Sequence, residues 1–129
     1  MELGLHNKTA IVTGGASTIG KAIAEGFATE NANVVVADVD KKQSARVVKA
    51  LNTMGDGDAV FIETDVSNAE QVEKMASETL ARFGQIDILI NNAGWVANDL
   101  FLNKPVSDFE KEIAINLWGP INCIRAVAP

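Results

Sequence analysis

The sequence contains no tyrosine and a single cysteine, Cys123, among its 129 residues. One cysteine excludes a disulfide within the chain and a zinc site built from several cysteines, and it favours a cytoplasmic location. Because tyrosine is absent, this chain offers no phenolic hydroxyl for general acid or base catalysis. The absence therefore limits the chemistry that the chain can perform.

Basic residues are also few and scattered. The chain has 11 Lys and Arg against 17 Asp and Glu, a net charge of −6, and Lys41-Lys42 is the one adjacent basic pair. A nucleic-acid surface needs clustered positive charge, so we expect no nucleic-acid partner. No apolar run approaches the roughly 18 residues of a membrane span, and too few residues precede the first predicted strand for a signal peptide. We expect no association with a membrane.

The residues that are present alternate between strand and helix patterns. Four apolar runs are typical of buried parallel strands, and an amphipathic helical pattern follows each of them. The order predicts one α/β domain over residues 1–129, a doubly wound parallel sheet of the Rossmann type with strand order 3-2-1-4. The four predicted strands are Thr9–Thr13, Asn33–Ala37, Ala59–Ile62 and Ile86–Ile90.

Capping residues predict where three of the helices begin. Asp40 precedes the second helical pattern and is a good N-cap residue. Ser67 with Glu70, and Ser107 with Glu110, have the spacing of a capping box. These pairs predict helices that start directly after Ser67 and Ser107.

A glycine-rich turn joins the first predicted strand to the first helix. Glycines at such a place let the backbone approach a phosphate, and the free N–H groups of the helix start then point at the anion. Similar turns also occur where tight packing alone requires them. The candidate phosphate-binding residues are Gly14, Ser17, Thr18, Ile19 and Gly20.

Asp38 ends the second predicted strand. A carboxylate there can accept hydrogen bonds from both ribose hydroxyls of an adenosine and repels a 2′-phosphate. No Lys or Arg lies within the glycine-rich turn to offset that repulsion, although Lys41 and Lys42 are near. We therefore expect NAD rather than NADP, unless Asp38 merely terminates its strand.

Two further segments follow predicted strands. Asp65-Val66 comes after the third strand, where it can meet an adenine edge, or where Asp65 can belong to the turn before the next helix. Asn91–Gly94 comes after the fourth strand, and Trp95 beyond it either packs or lines the cleft. In a sheet of order 3-2-1-4, ligands bind between strands one and four, where the order reverses. Asn91–Gly94 and the glycine-rich turn should therefore meet.

Pro120 lies inside the last helical pattern. Proline has no N–H, so the carbonyl of Asn116 loses its partner four residues later and the helix should kink. Gly119 should ease that deformation. The freed carbonyl is a possible seat for an ordered water molecule, unless the kink serves packing alone.

Taken together, these segments resemble the short-chain dehydrogenase/reductase family over nearly the whole chain, with Asn91-Asn92-Ala93-Gly94 as the most specific element. The resemblance implies that Gly14, Ile19 and Gly20 lie along the cofactor pyrophosphate and that Asp38 holds the adenosine ribose. It implies that Asp65 and Val66 meet the adenine, and that Asn92, Ala93 and Gly94 support the cofactor ribose and the sheet. Thr18 departs from the family pattern, which usually has glycine there.

The same resemblance implies an NAD-dependent oxidoreductase that interconverts a secondary alcohol and a ketone as small-molecule substrates. Asn116 would support a water-linked proton relay to a catalytic lysine. The family's catalytic Ser and Tyr-x-x-x-Lys follow a fifth strand, and this chain contains neither. We therefore expect an inactive N-terminal cofactor-binding portion, incomplete at its C-terminus, of a parent that forms a dimer or tetramer.

Two other interpretations remain open at this stage. The chain could be a naturally short, non-catalytic module that binds a nucleotide or a partner. It could also be another kind of nucleotide-binding sheet, such as part of a methyltransferase or a sugar-nucleotide enzyme.

Overall fold

The structure is a computed structural model that describes residues 2–129. Its strands are Thr9–Thr13 (β1), Asn33–Asp38 (β2), Ala59–Glu63 (β3) and Ile88–Ile90 (β4). Its helices are Thr18–Thr29 (α1), Lys41–Leu51 (α2), Ala69–Phe83 (α3), Val106–Ile113 (α4) and Gly119–Val127 (α5). One π-helical turn, Ala114–Trp118, joins α4 to α5.

The four strands form one parallel sheet in the order β3-β2-β1-β4, which confirms the predicted fold. The edge strand β4 is shorter than the predicted Ile86–Ile90. The carboxylate of Asp87 accepts a hydrogen bond from the Thr9 N–H at 2.9 Å, so a side chain makes the contact that a strand carbonyl would make. Regular pairing with β1 therefore begins at Ile88.

Apolar side chains cover both faces of the two central strands. On one face, Val12 and Val36 pack with helices α1 and α2 in a buried cluster. On the other face, Ile11 and Val35 pack with α3 and with Cys123 of α5. Because alternate residues of a strand point to opposite faces, a continuously apolar strand serves both layers at once. The result is a three-layer arrangement that leaves the carboxyl ends of the strands open.

Two of the predicted helix starts differ in outcome. The prediction for Asp40 is confirmed, because its Oδ1 accepts a hydrogen bond of 3.0 Å from the Gln43 N–H. The prediction for Ser107 is wrong, since α4 begins two residues earlier, at Val106 after Pro105, without any side-chain cap. Proline suits a helix start because it fixes φ near −65°.

The predicted capping box at Ser67 and Glu70 is also wrong. The N-cap of α3 is Asn68, whose side chain accepts a hydrogen bond of 3.2 Å from the Gln71 N–H. The Ser67 hydroxyl instead donates to Asp65 Oδ1 at 2.6 Å. A nearby carboxylate is a strong hydrogen-bond acceptor for this hydroxyl, so Ser67 joins the preceding turn.

The departure from α-helix expected near Pro120 takes the form of the π-helical turn, which contains Asn116. A wider turn accommodates a proline that offers no N–H and crowds the carbonyl four residues earlier. Gly119 does not ease this deformation through unusual backbone angles, because its φ of −55° and ψ of −58° are helical. Its role is packing, since a Cβ atom there would lie 2.7 Å from Val66 Cγ2.

We predict opposite effects for two helical glycines. Gly119→Ala should lower the free energy of unfolding by about 1–3 kcal/mol, because the new methyl group clashes with Val66. Gly26→Ala in α1 should raise it by about 0.5–1 kcal/mol, since a Cβ there meets nothing within 4 Å and alanine favours helix. Urea denaturation of both variants measures the two changes in the free energy of unfolding. A Gly119→Ala protein as stable as the parent would contradict the packing role.

Candidate functional site

A cavity of about 890 Å³ lies beyond the carboxyl ends of the strands. Cofactor and small-molecule pockets typically measure about 300–1,000 Å³. Of the candidate site residues, Gly20 and Asn116 do not line it. Those that do are Gly14, Ser17, Thr18, Ile19, Asp38, Asp65, Val66, Asn92, Ala93 and Gly94.

The turn between β1 and α1 is held in a shape that requires glycine. Gly14 has a φ of +63°, in the left-handed region that favours glycine. A Cβ on Gly20 would lie 2.2 Å from the Gly14 carbonyl oxygen, and one on Gly14 would lie 3.0 Å from Ala93 Cα. Gly20 therefore packs behind the turn, while Gly14 brings the backbone to the cavity surface.

The start of α1 faces this cavity without a side-chain cap. The N-cap residue is Ser17, whose hydroxyl donates to the Gly14 carbonyl oxygen at 3.0 Å instead of accepting from the helix. Ser17, Thr18 and Ile19 are exposed along the cavity wall. An uncapped helix start carries unpaired N–H groups and the positive end of the helix dipole, so it suits an anionic group.

The carboxylate of Asp38 is fixed by the backbone on both sides. Its Oδ2 accepts from the Ala16 N–H at 3.1 Å, and its Oδ1 accepts from the Asp40 N–H at 3.0 Å. Each oxygen has a second lone pair that a ligand hydroxyl can use. Lys41, a nearby cation, instead pairs with Glu63 at 3.2 Å. The structure thus shows an oriented carboxylate at the end of β2, facing the cavity.

Asp65 lines the cavity and also belongs to the turn before α3. Its Oδ1 accepts from both the N–H and the hydroxyl of Ser67, at 3.0 and 2.6 Å. Val66 beside it is buried, and its carbonyl oxygen accepts from Asn122 Nδ2 at 3.0 Å. The two residues therefore join the cavity wall to α5.

The sequence interpretation missed the residue that connects the two central turns. The hydroxyl of Thr13 accepts from the N–H groups of Asn92 and Ala93, both at 3.0 Å, and contacts the Ile90 carbonyl oxygen at 3.3 Å. Asn92 Nδ2 returns two hydrogen bonds of 3.1 Å, to the carbonyl oxygens of Thr13 and Gly14. Threonine is common in β-strands, so its presence in a predicted buried strand does not indicate that its hydroxyl has a separate role.

Asn116 contacts the loop that follows β4. Its Oδ1 accepts from the Trp95 N–H and its Nδ2 donates to the Trp95 carbonyl oxygen, both at 2.8 Å. The side chain amide thus matches both backbone groups of one residue. Asn116 positions Trp95, which lines the cavity together with Lys111, a residue that the sequence interpretation also missed.

Glu112, one helical turn before Asn116, anchors the same loop. Its Oε1 accepts from the Ala97 N–H at 2.9 Å and pairs with the ammonium group of Lys104. The hydrogen bond from Lys104, followed by that from Ala97, holds the pKa of Glu112 below its usual value of 4.5. Glu112 and Asn116 therefore hold the loop after β4 from a single helix face.

Other reactive chemistry is scarce in residues 2–129. Burial raises the pKa of the Cys123 thiol to about 11, so the thiol is protonated at neutral pH. No group of three or more His, Cys, Asp and Glu side chains in this part of the chain is placed to hold a metal ion. Of the helices described, none combines the length and apolar character needed to span a membrane.

An open parallel sheet whose strand order reverses beside a glycine-rich helix start, with a carboxylate after the next strand, is the architecture of a dinucleotide-binding α/β domain. A family model described as short chain dehydrogenase matches residues 8–129. The chain therefore belongs to the short-chain dehydrogenase family.

Curated relatives carry oxidoreductase names. The chain is 36% identical over 124 residues to an uncharacterized oxidoreductase of Thermotoga maritima, covering 96% of this chain and 48% of that protein. It is 35% identical over 124 residues to a 3-oxoacyl-[acyl-carrier-protein] reductase of Synechocystis, covering 96% of this chain and 50% of that protein. The chain thus spans about half the length of the curated relatives that it matches.

Solved structures show the same fold. A short chain dehydrogenase/reductase from Burkholderia phymatum in complex with NAD superposes with a TM-score of 0.90 at 33% identity, covering 98% of this chain and 44% of that one. An NAD⁺-bound xylitol dehydrogenase gives a TM-score of 0.90 at 28% identity, covering 95% of this chain and 47% of that one. Both neighbours were therefore solved with NAD bound.

We predict that Thr13→Val destabilises the protein by about 1–3 kcal/mol, because two N–H groups lose their acceptor. Thr9→Val is the matched control at the other end of β1. The Thr9 hydroxyl is buried and has no hydrogen-bond partner within residues 2–129, so its loss should be neutral or stabilising. Chemical denaturation compares the two variants. Equal losses would show that the Thr13 hydroxyl does not join the turns.

Proposed function

We propose that this chain is the cofactor-binding portion of an NAD-dependent oxidoreductase that interconverts a secondary alcohol and a ketone. The observation that carries the proposal is the pairing of an uncapped α1 start with the oriented Asp38 carboxylate in one cavity. The first suits a pyrophosphate and the second suits ribose hydroxyls. A dinucleotide contains both groups.

In the proposed arrangement, the pyrophosphate lies along Gly14 and the α1 start, where Ser17, Thr18 and Ile19 face the cavity. Thr18 stands where the family usually has glycine, and its hydroxyl serves there as an additional hydrogen-bond donor. Gly20 contributes through the packing that lets Gly14 approach the ligand.

The two ends of the dinucleotide are assigned by the strands that they follow. The adenosine ribose lies at Asp38, and the adenine lies between Asp65 and Val66 at the end of β3. The nicotinamide riboside then lies at Ala93 and Gly94, with Asn92 holding that turn in place. This direction places the reactive nicotinamide beside the loop after β4.

NAD is preferred over NADP in this proposal because of local charge. A 2′-phosphate on the adenosine ribose would meet the Asp38 carboxylate, and two anions in one pocket repel each other. Lys41 offers little compensation, since it pairs with Glu63. The two NAD-bound structural neighbours support the same choice.

The bound cofactor supplies or accepts the hydride. No residue of this chain matches the family's tyrosine, since the sequence has none. We propose that the catalytic Ser, Tyr and Lys belong to the half of the protein that the relatives have in addition, and that this chain alone is inactive. Asn116 supports the proton relay by positioning the Trp95 backbone. Its main-chain carbonyl receives no α-helical hydrogen bond from residue 120, because Pro120 has no N–H.

The proposal extends to setting and assembly. A single buried, reduced cysteine suits a cytoplasmic protein. The whole protein acts on a small-molecule alcohol or ketone and forms a homo-oligomer. Its assembly would cover the exposed apolar side chains of Ile113 in α4, Leu117 in the π-helical turn and Ile124 in α5.

We predict that Asp38→Asn weakens NAD binding by about tenfold to a hundredfold, the range for a lost hydrogen bond to a charged group. The same change should bring the affinities for NAD and NADP closer together, because the repulsive charge is removed. Isothermal titration calorimetry of both cofactors measures this. Asp56→Asn removes an equal charge from an exposed turn and should leave both affinities unchanged. Absence of NAD binding by the unaltered chain would refute the proposed function.

The sequence that encodes the remainder of the protein gives a second prediction. Coding sequence downstream of Pro129 should contain a serine after an apolar strand, then Tyr-x-x-x-Lys about a dozen residues later. Reading that sequence distinguishes an oxidoreductase from a short non-catalytic module. An immediate stop codon would favour the module.

A further inference from the structure

The charges that line the cavity are distributed unequally along it. Three carboxylates, those of Asp38, Asp40 and Asp65, line the end formed by β2 and β3. The opposite end, beside Gly94 and Trp95, is lined by Lys111, the one Lys or Arg among the cavity residues that the structure describes. The cavity is therefore acidic at the proposed adenosine end and basic at the proposed nicotinamide end.

Lys111 is held at this place by an aromatic ring and not by an acid. Its Nζ lies 4.0 Å from the centroid of the Trp95 ring, a cation–π contact. The neighbouring carboxylate of Glu112 is paired with Lys104, and no ion pair within residues 2–129 includes Lys111. A cation–π contact leaves the full positive charge in place. The charge of Lys111 is thus not neutralised by a partner.

The backbone that carries this ring is also held in place. Asn116 binds both the N–H and the carbonyl oxygen of Trp95 at 2.8 Å, so the backbone that carries the indole is anchored to the π-helical turn. Lys111 is on α4, which continues into the same turn. Both members of the Lys111–Trp95 pair therefore belong to one connected unit at the cavity wall.

We propose that Lys111 is a specificity-determining residue that makes the site favour the reduced cofactor, NADH, over NAD⁺. This inference rests on the proposed function, which places the nicotinamide at this end. The nicotinamide ring is positively charged in NAD⁺ and neutral in NADH, whereas the rest of the molecule is the same. A fixed cation beside the ring therefore penalises the oxidised form alone.

The consequence concerns which form of the cofactor occupies the site. A site that binds NADH more tightly than NAD⁺ is filled by NADH at a lower concentration than by NAD⁺. Lys111 therefore sets the relative occupancy of the two forms and leaves the overall equilibrium of the reaction unchanged.

The test is the ratio of the NAD⁺ and NADH dissociation constants, measured by isothermal titration calorimetry on the full chain. Lys111→Gln should lower the ratio Kd(NAD⁺)/Kd(NADH) by about two- to fivefold, the scale for an exposed charge. Lys111→Glu should lower it further, and Lys111→Arg should retain it. The ratio isolates the ring, because any effect on the phosphates acts equally on both forms.

Lys74→Gln is the control for net charge, since Lys74 pairs with Glu78 on the outside of α3 and does not line the cavity. Its ratio should equal that of the unaltered chain. High salt should reduce the difference in this ratio between Lys111→Gln and the unaltered chain. Binding of both cofactors with the same ratio in Lys111→Gln and the parent would overturn this inference alone. Failure of the parent to bind either cofactor would overturn the proposed function and the inference together.

Discussion

The hydroxyl of Thr13 is the contact on which the cavity depends, because it joins the two turns that form the cavity floor. It accepts hydrogen bonds from the N–H groups of Asn92 and Ala93. The side-chain Nδ2 of Asn92 in turn donates to the carbonyl oxygens of Thr13 and Gly14. Parallel strands β1 and β4 end side by side, yet their backbone pairing stops at Ile90. Beyond that residue, side chains must replace the ladder. Buried hydrogen bonds of this kind fix one geometry, since each unpaired group would incur a desolvation penalty.

The carboxylates around the cavity accept hydrogen bonds from the backbone even without a ligand. Asp38 accepts hydrogen bonds from two backbone N–H groups. Asp40 accepts one from the Gln43 N–H, and Asp65 accepts one from the Ser67 N–H. Each carboxylate thus shapes the loop that follows its own strand. Because carboxylate oxygens have more than one lone pair, the same groups retain capacity for ribose hydroxyls. An acidic chain can therefore present both an uncapped helix start, which suits an anion, and hydroxyl acceptors within one cavity.

The strand order could be predicted because buried parallel strands are continuously apolar, a pattern that a sequence displays directly. The sequence also predicts that the glycine-rich turn and Asp38 lie at one edge of the sheet, because each follows such a strand, and both line the cavity. Contacts between side chains distant in sequence could not be found in this way. The carboxylate of Asp87 shortens β4 by binding the Thr9 N–H, and Asp65 draws Ser67 out of its expected capping box. In both places a carboxylate side chain, which is a strong hydrogen-bond acceptor, overrides the structure that the local sequence pattern predicts.

The π-helical turn connects the two ends of the cavity through one continuous helical segment. Before Pro120, Asn116 anchors Trp95 at the end beside Lys111. After it, Gly119 packs against Val66 and Asn122 binds the Val66 carbonyl oxygen. A proline within this segment prevents regular helix, and the wider turn sets the rotation between the two contact faces. A single insertion or deletion there would misplace both walls at once, so the irregular turn is a structural requirement of the site.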